Sequence, residues 1–198
     1  MQALGLSREI LNKEFILEPT CAKIFALCSF IVLTALGAYV RIPLPFTPVP
    51  ITLQTFFVLL TGAVLGRQWG TASQLGYVLL GVFIVPIFAG ATSGLAVFFG
   101  PTGGYLAGFI LAGWVVGSLI HRSKAAKFNQ ILTTMLIGSL LIDLLGCVWL
   151  GTVLRAGLKK TLMLGLWPFL PGDIMKSIVA ALVYQSIQKR TGQIFSPE

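Results

Sequence analysis

Apolar residues in this chain gather in long unbroken runs, separated by short clusters of proline, glycine and charge rather than alternating with polar ones. A helix needs about 17–25 apolar residues to cross the hydrocarbon of a bilayer. Six runs approach or meet that length: Ile24–Val40, Ile51–Leu65, Thr71–Val85, Gly103–Ile120, Ile131–Leu150 and Gly172–Ile187. The second and third are short, about 22 Å as straight helices, so they stand near-upright or thin the bilayer around them. The breaks are punctuated by Pro43, Pro45, Pro48 and Pro50 after the first run, by Gly66 to Gly70 after the second, and by Pro86 to Pro101 after the third. The pattern predicts an all-α integral membrane protein, a bundle of six transmembrane helices over residues 23–188. A polar leader over residues 1–22 precedes it and a tail over 189–198 follows. The leader mixes Arg8 and Lys13 with Glu9, Glu14 and Glu18 and has no apolar core, so it does not read as a cleavable signal peptide.

Composition narrows the picture. Hydrophobic residues make up 56% and charged residues 10% of the 198, and the mean hydropathy is +0.91. An ordinary soluble fold carries about 25% charged residues, and a disordered chain is poor in apolar ones; both are excluded. A transmembrane barrel would show alternating segments of about ten residues. The net charge of +8 would suggest nucleic acid in a soluble protein, but here its distribution carries the information, and no nucleic-acid partner is expected. With six spans both termini share one side. That side collects Arg8, Lys13, Lys23, Arg67, Arg122, Lys124, Lys127, Lys189 and Arg190, against Arg41, Arg155, Lys159 and Lys160 on the other. Basic residues stay inside, so both termini are predicted to be cytoplasmic. The proline-rich connection, the glycine-rich loop Phe88 to Gly94 and the partly apolar segment Gly151 to Pro171, which is expected to dip into the membrane edge, then lie outside. Cys21, Cys28 and Cys147 show no zinc or redox spacing and are expected to be small packing residues.

Ionisable groups within a span are costly and are presumed functional. Asp173 and Lys176 are three apart in the first turn of the sixth span, hence on one helix face. A structural ion pair is the plain alternative. Their position at the outer mouth, beside two glycine–proline loops, favours a polar ligand touched by both. Asp143 lies mid-span and is expected to be protonated and hydrogen-bonded to Ser or Thr of another helix, with a pocket wall or an oligomer interface as alternatives. An intramembrane aspartyl protease is disfavoured, since Leu-Pro-Gly-Asp173 lacks the Gly-x-Gly-Asp of those enzymes. His121, the single histidine, sits in a basic turn and supports no catalytic or metal constellation. There is no P-loop, so any energy source is another polypeptide or an ion gradient. Small residues recur at Ala22/Ala26, Gly62/Gly66, Gly104/Gly108 and Gly113/Gly117. Such pairs let helices approach closely in lipid, within the bundle for the glycines and against an outside helix for the alanines.

Three long motifs, in order, carry a resemblance: Pro43-Leu-Pro-Phe-Thr-Pro-Val-Pro-Ile-Thr-Leu-Gln-Thr55, Gly100-Pro-Thr-Gly-Gly-Tyr-Leu-Ala-Gly-Phe109 and Pro168-Phe-Leu-Pro-Gly-Asp-Ile-Met-Lys176. They resemble the BioY family, the biotin-specific substrate-binding (S) components of energy-coupling-factor (ECF) transporters, over about residues 22 to 188. The resemblance implies a non-enzymatic, multi-pass protein of the bacterial inner (cytoplasmic) membrane. Such a protein captures biotin from outside and delivers it inward, coupled to a transmembrane coupling protein and two cytoplasmic ATPases. Biotin is cargo, and no cofactor or metal is implied. The resemblance makes Asp173 and Lys176 the core of the site. Asp173 would accept from ureido N–H groups, and Lys176 would donate to the ureido oxygen or the carboxylate. Thr52 and Gln54 are candidate polar contacts and Phe46 a candidate lid. Gly90 and Ser93 border a loop that could approach the ligand, and Tyr105 opens the fourth span. Ala22 and Ala26 resemble the patch that meets the coupling protein. The segment from Phe88 to Tyr105 holds no arginine or asparagine, which leaves Arg41, Arg155 or a lysine for the valerate carboxylate. The competing readings are an S component for another vitamin and a self-sufficient carrier working as a homo-oligomer.

Overall fold

A computed structural model describes residues 19–120 and 126–194. The first eighteen residues of the predicted leader, the turn holding His121 and the last four residues of the tail lie outside the described residues. The chain forms α1 (Pro19–Tyr39), β1 (Arg41–Ile42), β2 (Ile51–Thr52), α2 (Gln54–Phe83), α3 (Leu95–Phe98), α4 (Gly103–Ile120), α5 (Phe128–Leu154), α6 (Leu158–Gly165) and α7 (Leu170–Ile194). Three helices are long and apolar enough to cross a membrane: α1 over Thr20–Tyr39, α4 and α5. The pair formed by α6 and α7 up to Gln188, bent by 46°, passes the same test when taken as one span, which makes up to four among the described residues. The segment after Leu154, expected to dip back toward the membrane, is this α6. It leans on α5, with Thr161 against Gly151 and Gly165 against Leu150.

The second and third apolar runs meet without a loop. Gly66 alone is non-helical, at φ 75° and ψ −174°, a region open essentially only to glycine. The break is therefore one residue wide, not the five-residue stretch from Gly66 to Gly70 that the sequence suggested. Helix resumes at once, yet the two arms run back along each other. Gln54 reaches Tyr77 at 2.6 Å, Gln74 reaches Thr61 at 3.1 Å, and Gly70 stands against the backbone of Gly62. A straight helix would hold residues 62 and 70 about 12 Å apart, so α2 is a helical hairpin folded at Gly66.

Small residues make that fold-back possible, as expected for helices packing in lipid. Gly113 and Gly117 of α4 sit on the backbone of Gly70 and of Gly66–Arg67, while Gly62 meets the Gly113 carbonyl. On the other side of α4, Gly104 lies against Trp149 and Gly108 against Ile142 of α5. The glycine pairs thus serve internal packing. Of the three cysteines only Cys147 is buried; Cys21 and Cys28 are exposed on α1, so the packing role expected of all three holds for one. The outer face of α1 bears apolar side chains such as Phe25, Val32 and Leu36, and a sulfhydryl there is as compatible with lipid as a methyl group.

The buried side chains form two clusters. One lies toward the Gly66 turn and includes Leu59, Val116, Ile131, Met135 and Tyr184. The other lies toward the opposite end and includes Val58, Tyr77, Phe88, Phe109, Ile142 and Phe169.

Candidate binding site

The proline-rich connection, the loops after α2 and the start of α7 converge at the end of the bundle away from Gly66, where they enclose a cavity of about 420 Å³. That is within the roughly 300–1,000 Å³ of small-molecule sites. Much of its wall is apolar, with Val49, Phe88, Leu106, Phe109, Ile142 and Phe169. Polar groups enter at a few points, the usual form of a site that binds by burial and orients by hydrogen bonds.

Asp173 and Lys176 are one of these points. The i, i+3 spacing on α7 turns both to the cavity, and Asp173 in the first turn is favoured by the helix dipole. The Lys176 ammonium lies 2.5 Å from Asp173 Oδ1 and donates to the Thr52 carbonyl at 3.0 Å. Both side chains are largely buried, 6% exposed for the acid and 12% for the lysine. Thr52 is placed by a two-rung antiparallel ladder that pairs Arg41 with Thr52 and Ile42 with Ile51. The ladder closes the proline-rich connection at its base and sets Arg41 on the cavity wall. Its guanidinium lies where a side chain at residue 90 would stand. Gly90, at φ 86°, combines a backbone that disfavours other residues with the space that Arg41 occupies.

Gln54 begins α2 at the cavity wall. Its Nε2 donates to the Tyr77 hydroxyl at 2.6 Å, which in turn donates to the Ile87 carbonyl at 2.9 Å. This chain ties the cavity floor to the loop after α2. Tyr105 donates to the Gly165 carbonyl at 2.6 Å and packs its ring 6.0 Å from that of Phe169. Its hydroxyl is committed to joining α4 to α6, and its ring serves as cavity wall.

Of the residues singled out from sequence, Thr52, Gln54, Tyr105, Asp173 and Lys176 come together on this wall. Phe46 and Ser93 are exposed and stand off it, and Gly90 lies behind Arg41. The reason for Phe46 is local. It sits in a turn of the connection with Pro45 and is 55% exposed, while Thr47 and Val49 just after it are buried. Ala22 and Ala26 are half-buried on α1, and Ala26 packs against the cluster near Gly66. Arg155 and Lys159 are exposed and absent from the wall, whereas Arg41 belongs to it.

Asp143 is the main departure. It was expected to bond to Ser or Thr of another helix. Instead it takes the pocket-wall alternative: it is 3% exposed and lines the cavity. A signal was available. Asp143 shares its helix face with Gly146 and Leu150, three and seven residues on and both buried, and Gly146 is the position against which the Tyr105 ring packs. Among the described residues no group of three or more His, Cys, Asp or Glu could hold a metal ion.

A family profile described as the BioY family matches residues 12–193 of the chain. The chain is 40% identical over 160 residues to a protein of Thermotoga maritima named biotin transporter BioY, covering 81% of this chain and 92% of that one. It is 39% identical over 162 residues to a Pyrococcus horikoshii protein named probable biotin transporter BioY, covering 82% and 93%. Among solved structures it resembles the S-component for biotin from an ECF-type ABC transporter. The TM-score is 0.80 at 25% identity, covering 86% of this chain and 92% of that one.

Proposed function

The chain belongs to the BioY family, and from that premise we propose that it captures biotin in the cavity beside Asp173 and Lys176. It is a multi-pass membrane protein of a transporter family, not an enzyme. The observation that carries the reading is an acid–ammonium pair buried at the wall of an otherwise apolar cavity. Biotin is apolar over its ring and tail, with one polar head and one carboxylate. A buried carboxylate accepts N–H groups through charge-assisted hydrogen bonds, which suits Asp173 to the ureido group. Arg41, the cation at the wall that no acid among the described residues offsets, suits the valerate carboxylate.

In this reading the two arms of α2 count as separate crossings, so the bundle has six spans with both termini in the cytoplasm, and the cavity faces outward. The excess of lysine and arginine on the Gly66 side supports that orientation. The chain works as the substrate-binding subunit of an ECF module in the bacterial inner membrane. The module supplies the coupling protein and two ATPases, and the Ala22/Ala26 face of α1 is the docking candidate.

Calorimetric titration of the ligand-stripped protein in detergent tests the substrate. Saturable one-site binding of biotin is expected, and Asp173→Ala should weaken it at least about tenfold, or about 1.4 kcal/mol. No heat and no thermal stabilisation from folded protein would remove biotin as the ligand. Unchanged isotherms in folded Asp173→Ala would remove the site. Biotin flux in vesicles containing this chain alone would remove the need for the module.

A further inference from the structure

The six acids of the chain are Glu9, Glu14, Glu18, Asp143, Asp173 and Glu198. The described residues therefore contain two acids, and both are buried on the wall of the same cavity. They come from different helices, Asp143 from α5 and Asp173 from α7, so the acids reach the cavity from two sides of the bundle. One lysine serves the two. Lys176 is paired with Asp173 and donates to the Thr52 carbonyl; no ion pair among the described residues includes Asp143. Three further polar groups of the wall and its surroundings already donate within the protein. The Tyr105 hydroxyl goes to Gly165, the Tyr77 hydroxyl to Ile87 and Gln54 Nε2 to Tyr77. A carboxyl inside a helical bundle, without a cation of its own and turned to a cavity, is expected to meet its donor in a ligand.

The kind of group matters as much as the number. Across this end of the cavity stand an acceptor on α5, an acceptor on α7 and one ammonium donor. A cyclic urea presents the complement: two N–H donors flanking one carbonyl acceptor. Resting on the reading that the ligand is biotin, we propose that Asp143 is a third ligand-contacting residue. It accepts one ureido N–H, Asp173 accepts the other, and Lys176 donates to the ureido oxygen between them. This assigns Lys176 to the oxygen and leaves the carboxylate to Arg41. It also explains why an acid is tolerated in mid-helix: two N–H donors arrive with the ligand, and each carboxyl receives one.

The test uses biotin and two derivatives, each methylated at a different ureido nitrogen, titrated into the full-length wild type, Asp143→Leu and Asp143→Asn. In the wild type either methyl group should weaken binding at least about tenfold, because it removes a charge-assisted donor from a buried acceptor. In Asp143→Leu biotin itself should bind about tenfold more weakly. One methyl group should then matter less than about threefold, while the other costs what it costs in the wild type. Asp143→Asn keeps the shape and an acceptor oxygen without the charge, and should reduce discrimination at the same nitrogen only in part. It gives the same comparison if the leucine variant does not fold. Full wild-type discrimination against both derivatives in the folded variants overturns the role of Asp143. That result leaves biotin binding intact, whereas a wild type that fails to bind biotin overturns both readings.

Discussion

The two ends of the bundle solve the same packing problem with different residues. Near Gly66 the buried cluster closes on itself, with Leu59, Val116, Ile131, Met135 and Tyr184 in contact and glycines drawing backbones together at Gly62, Gly70, Gly113 and Gly117. The polar groups in that region, such as Thr61 and Gln74, are uncharged and bonded to each other. At the other end loops complete the wall, and the groups left inside are ionisable: Asp143, Asp173 and Lys176. In lipid there is little hydrophobic force pressing helices together, so close packing and hydrogen bonds hold the first end shut. The second keeps its cavity although Gly104 and Gly108 bring α4 against α5 there, because bulky and aromatic side chains line it and loops form part of its wall. Close backbone packing and ligand contacts are therefore concentrated in separate regions of one bundle.

That division can be broken from either side. The largest expected effect is on the stability of the open end. Lys176→Met leaves Asp173 buried without its cation and should destabilise the protein by about 3 kcal/mol. The double change Asp173→Leu with Lys176→Met should recover most of that loss while binding no ligand, with denaturation in detergent as the readout. At the closed end, Gly66→Ala forces a side chain into a backbone region reserved for glycine. It should cost about 1–3 kcal/mol, with biotin affinity of the folded protein unchanged in calorimetry; a matching loss of affinity would show that the two ends are not separable. The smallest effect concerns the exposed Arg41. Arg41→Gln should weaken biotin about two- to fivefold, in line with an ion pair open to solvent, and leave biotin methyl ester unaffected. Equal losses for acid and ester would detach Arg41 from the carboxylate.

The apolar runs were legible because their length alone sets them apart, and the Asp173–Lys176 pair because spacing of three on a helix fixes a common face. The orientation of Asp143 was not. A membrane helix is apolar on the side facing lipid and on the side facing its neighbours, so α5 gives little periodic signal of which face turns inward; Gly146, one turn on, was the usable hint. The fold-back of α2 was half legible. Glycines marked the place, but five of the residues from 66 to 70 looked equally fit for a loop, and only the positive φ at Gly66 shows that one sufficed. A place in the proline-rich connection suggests a lid at Phe46, whereas the turn at Pro45–Phe46 leaves its ring outside.

The two-rung ladder between Arg41–Ile42 and Ile51–Thr52 has a kinetic consequence. Residues 43–50, four of them proline, connect its two strands. The entropy of forming this arch is spent mainly on joining its feet, and the prolines have already reduced the number of conformations it could otherwise explore. The mouth of the cavity is thus shaped before a ligand arrives. Preorganisation of this kind strengthens binding by lowering the ordering cost, and differences in affinity between related complexes fall mostly on departure. Residence time, more than the rate of capture, is where loosening the arch should be felt.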